Sequence, residues 1–221
     1  MYDFQPYIDE IAAQLAIFTS QQKKIFATSS FQTNSVVLLH ILHRLAPQTP
    51  VYVLNTGFLF PETFEFQQLW KEEWGLNVRV LRSDTPRIQQ RSADGRFLFA
   101  SDPDTCCHIN KVAPLAPTIA AHDVWINGIR GAQSSTRRAM KKLQQTEQIL
   151  RYHPLLDWDS QMVHYYIEEN NLPKHPLESE GFVSIGCRPC TQKWADTLDG
   201  RGGRWAGLNK TECGLHTTLG S

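Results

Sequence analysis

Ile25-Phe26-Ala27-Thr28-Ser29-Ser30-Phe31-Gln32-Thr33-Asn34-Ser35-Val36-Val37-Leu38-Leu39 is the stretch that decides the fold. A short apolar run at 25–27 reads as a buried strand, and the small polar residues 29–35 as a loop. Apolar residues then recur at helical spacing over 36–45 until Pro47 stops the helix, and a second strand follows at 51–54. This is a βαβ unit, which needs parallel strands. Its loop stands where a sheet's carboxyl edge meets a helix N-terminus, and backbone N–H groups with the helix dipole favour an anion there. Ser29, Ser30, Phe31 and Gln32 are therefore candidate ligand contacts. Thr33, Asn34 and Ser35 serve equally well as plain helix caps.

Working outward, Ile8, Ile11, Ala12 and Leu15 fall on one helical face upstream. Downstream, Asn55-Thr56-Gly57 supplies a turn at the same sheet edge, and Pro61 opens an amphipathic helix running to 74. Further strands are expected at 78–81 and 124–129. Strands alternating with helices imply an α/β fold, a mainly parallel, doubly wound sheet covered on both faces. Residues 130–148 read as a long exposed segment between strands. After about residue 150 a helix at 161–169 gives way to a Gly-, Pro- and charge-rich region, expected to fold back over the sheet as an extension. No internal repeat or low-complexity tract interrupts the chain.

At 221 residues and 41% hydrophobic, the chain can bury a full core as one domain, 1–221. Lys and Arg total 22, as do Asp and Glu, so no general basic field marks a nucleic-acid binder. A basic, apolar leader and any run of about 18 apolar residues are both missing, which makes no membrane partner and a cytoplasmic location the expectation.

Five cysteines fit a disulfide framework poorly in a reducing compartment. Cys106-Cys107 and Cys187-Arg188-Pro189-Cys190 form two close pairs that could give four thiolates to one zinc ion or one iron–sulfur cluster. Adjacent cysteines favour the cluster, which offers them two different irons. Buried inert thiols or a redox relay are the alternatives. Cys213, in Thr211-Glu212-Cys213-Gly214-Leu215-His216, is left over. It suits an accessible nucleophile, with His216 beside it, or an inert exposed cysteine.

Taken together, these motifs resemble the assimilatory adenylyl-sulfate and phosphoadenylyl-sulfate reductase family over nearly the whole length from Ser29 to His216. Glu212-Cys213-Gly214-Leu215-His216 is similar to that family's nucleophile motif, and Ser184 through Thr191 to the cluster-binding segment of its iron–sulfur members. Cys106 through Leu115 looks like its double-cysteine helix, with Lys111 in the place of a lysine between cluster and substrate and Asn110 in place of a common arginine. Gly128 through Arg137 resembles its Arg-x-x-Gln-Ser loop, and Arg201, Arg204 and Trp205 its Arg-x-Gly-Arg-Trp element. The loop at Ser29 is similar to that of the adenine-nucleotide α-hydrolase superfamily. Asn34 there replaces the acidic residue of ATP-cleaving members, an amide being a poor substitute for carboxylate at Mg²⁺.

The resemblance implies a nucleotide-binding core over about 1–150 and a C-terminal cluster and catalytic-tail region over about 151–221. It further implies attack by the Cys213 thiolate on adenylyl sulfate, AMP release, and sulfite discharge by thioredoxin or glutaredoxin. Lys111, Arg201, Arg204 and His216 would assist; Ser29, Ser30, Phe31, Gln32, Asn55, Thr56, Gly57, Arg130 and Arg137 would bind substrate; Cys106, Cys107, Cys187 and Cys190 would hold a [4Fe–4S] cluster. Only residues 217–221 follow His216, so the reductant is expected to be a separate protein. Phosphoadenylyl sulfate is the alternative substrate, because Asn55 through Thr63 resembles the version in cluster-free enzymes. A tRNA thiolation enzyme and a zinc-stabilised interaction module are the more distant rivals. Oligomeric state is left open, a homo-oligomer being allowed.

Overall fold

The computed structural model describes residues 2–193 together with Gly203 and Leu215. Helix α1 (Gln5–Ser20) leads into β1 (Ile25–Thr28), α2 (Val36–Leu45), β2 (Val51–Asn55), α3 (Pro61–Glu72) and β3 (Val78–Arg82). Short helices α4 (Leu98–Ser101) and α5 (Pro103–Cys107) precede a π-helical turn, His108–Val112, and α6 (Ala113–Ala120). Then come β4 (Val124–Asn127), α7 (Ser135–Arg138), β5 (Leu143–Gln145), β6 (Leu150–Tyr152) and α8 (Ser160–Glu169).

The sheet order is β3-β2-β1-β4-β6-β5, parallel throughout except for the antiparallel edge pair β5–β6. Strand side chains alternate between two cores, as period-two geometry requires. Ala27, Val51, Val53, Val124 and Ile126 face the main core with α1, α2, α3 and α8, while Phe26, Tyr52 and Trp125 face a second cluster with Leu115 and Ile119 of α6. Both faces are therefore covered, the α/β doubly wound arrangement expected from the sequence. Strand β6 and helix α8 contribute Tyr152, Met162, Val163, Tyr166 and Ile167 to the main core, so residues on both sides of position 150 share it. Among the described residues, no helix is long and apolar enough to cross a membrane.

The chain returns from β3 to β4 on the far side of β1, so the order reverses between β1 and β4. Thr28 pairs with Asn127 there. In open parallel sheets the crevice outside the strand C-termini at such a reversal is where ligands bind.

The expected exposed segment 130–148 is different in the structure. It contains α7 and β5, and Arg130 and Arg137 are buried within it, because the β5–β6 hairpin extends the sheet and carries the segment back against the core.

Candidate active site

A cavity of about 460 Å³ opens at the reversal point, lined by the ends of β1, β2 and β4 and by the loop after β1. That loop is tied by its own hydroxyls: Ser29 Oγ accepts from Phe31 N at 3.1 Å and donates to Ser35 Oγ at 3.2 Å, and Ser35 Oγ donates to Gln32 O at 2.7 Å. The C-terminal segment is laced over it. Ile185 N donates to Gln32 Oε1 at 3.1 Å, and His175 N to Thr33 Oγ1 at 3.0 Å. The His175 ring accepts from Leu177 N at Nδ1, which leaves Nε2 as the donor to Thr63 Oγ1 at 3.0 Å.

Of the expected substrate contacts, Ser29, Ser30, Gln32, Thr56, Arg130 and Arg137 line the cavity, whereas Phe31, Asn55 and Gly57 do not. Phe31 has a left-handed backbone (φ 53°) that turns its ring fully into the main core. Asn55 Oδ1 accepts from Gly57 N at 2.9 Å, and Gly57 (φ +74°) leaves room for Arg87, whose side chain lies 2.7 Å from where a Cβ would sit. Those two residues shape the turn; only Thr56 reaches the cavity.

Arg130 and Arg137 bring positive charge into the wall. The Gln133 side-chain carbonyl accepts from Arg130 N at 3.0 Å and from Arg137 Nη1, clamping both ends of the turn. Gly131 permits this close packing: a Cβ would lie 3.2 Å from Leu156 O and 3.5 Å from Arg138 Cα, and its N–H donates to Leu156 O at 2.7 Å. Burial, and then the Arg137 charge, push the Arg130 guanidinium below its usual range, with Asp159 opposing. Arg151, stacked 4.7 Å from the Trp125 ring, is pushed down to about 10 by burial and then by Arg137. Arg130 and Arg137, two cations in the cavity wall, favour an anionic ligand.

The two cysteine pairs come together. Cys106, Cys107, Cys187 and Cys190 line one cleft beside the cavity. Asp102 caps α5 by accepting from Thr105 N at 3.0 Å, and the π-helical turn that follows has a covalent cause. Pro114 has no N–H to offer Asn110 O, and its ring crowds that carbonyl, so the helix widens. Asn110, locked against Gln90 by reciprocal amide bonds of 2.6 and 3.0 Å, then points Nδ2 at Cys106 O (3.0 Å) and Cys106 Sγ (3.6 Å). On the other side, Arg188 N donates to Phe58 O at 2.7 Å, and Cys187 and Cys190 flank a 3₁₀ turn. Such a turn puts positions three apart on one side. Thr56 Oγ1 lies 3.2 Å from Cys187 Sγ. Burial, then the neighbouring Cys187 sulfur, push the Cys106 thiol up to about 11, against the Asn110 hydrogen bond and the Lys111 charge. Among the described residues, no three Cys, His, Asp or Glu side chains form a ready-made single-ion site.

Lys111 and Cys187 line both the cleft and the large cavity, so the two compartments share a wall. Cys213, Arg201, Arg204 and His216 lie outside the described residues. Two residues near them are described: Leu215 lines the cavity and packs on the Phe26–Trp125 cluster, and Gly203 O accepts from Gln192 N at 2.7 Å, just beyond Cys190. The residues that sequence reasoning missed are Asn127, which lines the cavity, and His153 behind it. The available signal was an asparagine closing an otherwise apolar strand at the reversal point.

A mainly parallel sheet with a polar loop, buried arginines and a cavity at its reversal point defines a doubly wound α/β protein that binds its ligand at the strand C-termini. A phosphoadenosine phosphosulfate reductase domain matches residues 24–193, and the chain belongs to that family. It is 39% identical to adenosine 5'-phosphosulfate reductase of Rhodococcus erythropolis over 184 residues, covering 82% of this chain and 74% of that protein. To the Bacillus cereus protein of the same name it is 35% identical over 215 residues, covering 94% and 92%. Among solved structures it resembles a phosphoadenylyl-sulfate reductase from Candida auris in a phosphate complex, with TM-score 0.65, 20% identity, and coverage of 85% of this chain and 97% of that one. An FMN adenylyltransferase from Candida glabrata shares the fold at TM-score 0.62 and 15% identity, covering 94% and 75%.

Proposed function

We propose that this chain reduces adenylyl sulfate to sulfite and AMP in sulfate assimilation, with Cys213 as nucleophile. The observation that carries the reading is the shared wall: Lys111 and Cys187 border both the cysteine cleft and an arginine-lined cavity of nucleotide size, in a chain whose relatives are named for this reaction. The cavity binds the nucleotide, the loop at Ser29 and the cations Arg130 and Arg137 taking its anionic part. The Cys213 thiolate attacks the sulfate sulfur. An S–S bond forms, the S–O bond to phosphate breaks, and its electron pair leaves with AMP. Lys111, Arg201 and Arg204 offset the charge that builds on the sulfuryl and phosphate oxygens. Leu215, which follows Cys213 by two positions in the sequence, lines the cavity.

The enzyme is left as a Cys213 S-sulfonate. A dithiol protein of the thioredoxin or glutaredoxin type attacks the Cys213 sulfur, sulfite departs, and the resulting mixed disulfide resolves into the reductant's own disulfide and the Cys213 thiol. The four remaining cysteines would hold a [4Fe–4S] cluster: three are buried, all border one cleft, and an amide N–H is directed at one sulfur, the kind of contact that tunes a sulfur-ligated cluster. When bound, the cluster would supply a fixed field at Lys111.

Sulfite release by anaerobically purified protein with thioredoxin tests the reading, comparing adenylyl sulfate with phosphoadenylyl sulfate and using Cys213→Ser as control. Turnover of adenylyl sulfate that is abolished in Cys213→Ser is expected. Preference for the 3'-phosphorylated nucleotide would change the substrate and keep the mechanism; no sulfite from either nucleotide would end it. Iron and sulfide analysis, with loss of the brown chromophore in Cys187→Ser, checks the cluster.

A further inference from the structure

Asn127 ends the central strand β4 at the cavity and is 3% exposed. Its Oδ1 accepts from Ile129 N at 3.4 Å and lies 2.7 Å from Nδ1 of His153, which is fully buried. A backbone N–H can only donate, so the contact with Ile129 sets which end of the amide is oxygen. Nδ1 of His153 must then be the donor. Burial, followed by the charges of Arg151 and Arg137, pushes that ring down to about 4, and it stays neutral with its proton on Nδ1. The amide is thereby held one way round. Its Nδ2, buried in a cavity-lining residue, has no hydrogen-bond partner among the described residues. A buried donor left without an acceptor costs free energy that a ligand oxygen recovers.

The surroundings say what kind of oxygen. Arg130 and Arg137 line the same cavity, and Arg137 is close enough to depress Arg130, Arg151 and His153. We propose that Asn127 is a substrate-binding residue whose Nδ2 donates to an anionic oxygen of the nucleotide's phosphosulfate beside Arg130 and Arg137. His153 is its positioning residue, holding the amide with the donor toward the ligand. The inference rests on the nucleotide reading of the cavity.

Calorimetric titration of the full chain with AMP, adenylyl sulfate and adenosine tests it. Asn127→Ala should weaken AMP and adenylyl sulfate about ten- to a hundredfold, the range for a hydrogen bond to a charged group, and leave adenosine within about twofold. Asn127→Asp keeps the acceptor toward His153 and Ile129 while placing a carboxylate against the anion. It should lose AMP more severely and still bind adenosine, and it decides the matter if the alanine variant does not fold. His153→Ala should weaken AMP by about three- to tenfold, and His153→Asn, whose amide can donate in place of Nδ1, should restore most of that. Ring ¹⁵N shifts should show His153 neutral and Nδ1-protonated at pH 7. AMP binding unchanged in both Asn127 variants, or equal losses for AMP and adenosine, overturns the assignment of Asn127. An Nε2-protonated or charged ring overturns the role of His153. Failure of the unaltered protein to bind any adenine nucleotide removes the nucleotide reading itself, and this inference with it.

Discussion

Replacing Arg130 by Met separates a binding cation from a structural one. The guanidinium is 4% exposed and destabilised first by burial and then by Arg137; its favourable contacts are Asp159 and a long 3.4 Å bond to Ser160 Oγ. A buried cation whose one charge partner, Asp159, is solvent-exposed carries a desolvation cost that an apolar side chain of similar length removes, a gain on the order of 1–2 kcal/mol against the loss of the Ser160 bond. At about 2–4 °C per kcal/mol for a chain of this size, the thermal midpoint of Arg130→Met should hold or rise by several degrees. Nucleotide binding should move the other way. Loss of charge-assisted hydrogen bonds to a phosphate or sulfate oxygen costs about 3 kcal/mol, or about 150-fold in Kd for AMP. Differential scanning calorimetry and AMP titration on the same preparation read both quantities. A midpoint that falls while AMP affinity is unchanged would refute the reasoning and make Arg130 a structural partner of Asp159 and Ser160.

Gly131→Ala places a methyl 3.2 Å from Leu156 O, backbone against backbone, so urea denaturation should show a loss of about 1–3 kcal/mol, with weaker AMP binding as Arg130 is displaced. Gly203 has φ +86°, and a Cβ there would lie 2.5 Å from Gln192 O. Gly203→Ala should therefore break the Gln192–Gly203 hydrogen bond and lower kcat for sulfite release at least about tenfold, while circular dichroism shows the sheet domain intact. His40, bonded to Tyr166 Oη at 2.9 Å, is pushed down from 6.5 to about 4 by burial and then by Arg44 and His43. The unfolded chain takes up this proton below about pH 6.5 and the folded protein only near pH 4. Stability from this group is thus complete above pH 6.5 and falls by about 2 kcal/mol by pH 5. The loss should be smaller in His40→Gln, as measured by denaturation at pH 7.5 and 5; equal pH dependence would place the acid-labile group elsewhere.

The βαβ unit around Ser29 was legible because strand and helix periods are local properties, and the stretch 25–45 changes period once with turn residues between. The two cysteine pairs were legible as pairs for the same reason, since spacing within three residues is enough to propose a shared ligand. Phe31, Asn55 and Gly57, expected as ligand contacts, do not line the cavity, because a loop motif gives the positions of a turn without saying which side chains it spends on its own shape. Phe31 turns into the core, and Asn55 caps the turn at Gly57. Residues 130–148 read as exposed because their polarity was taken at face value. Arg130 and Arg137 are buried where the β5–β6 hairpin folds the segment onto the cavity.

Sequence alone determined the alternation of strands and helices, the polar loop at a helix start, the two thiol pairs and the family motifs, all set by neighbours a few residues apart. Tertiary structure decided the strand order, with its reversal between β1 and β4, and therefore which distant residues meet. It set Cys106 and Cys107 across one cleft from Cys187 and Cys190, made Lys111 common to the cleft and the cavity, and placed His153 behind Asn127. Those meetings depend on how sheet and helices bury their apolar faces against each other, a long-range outcome that local spacing does not carry.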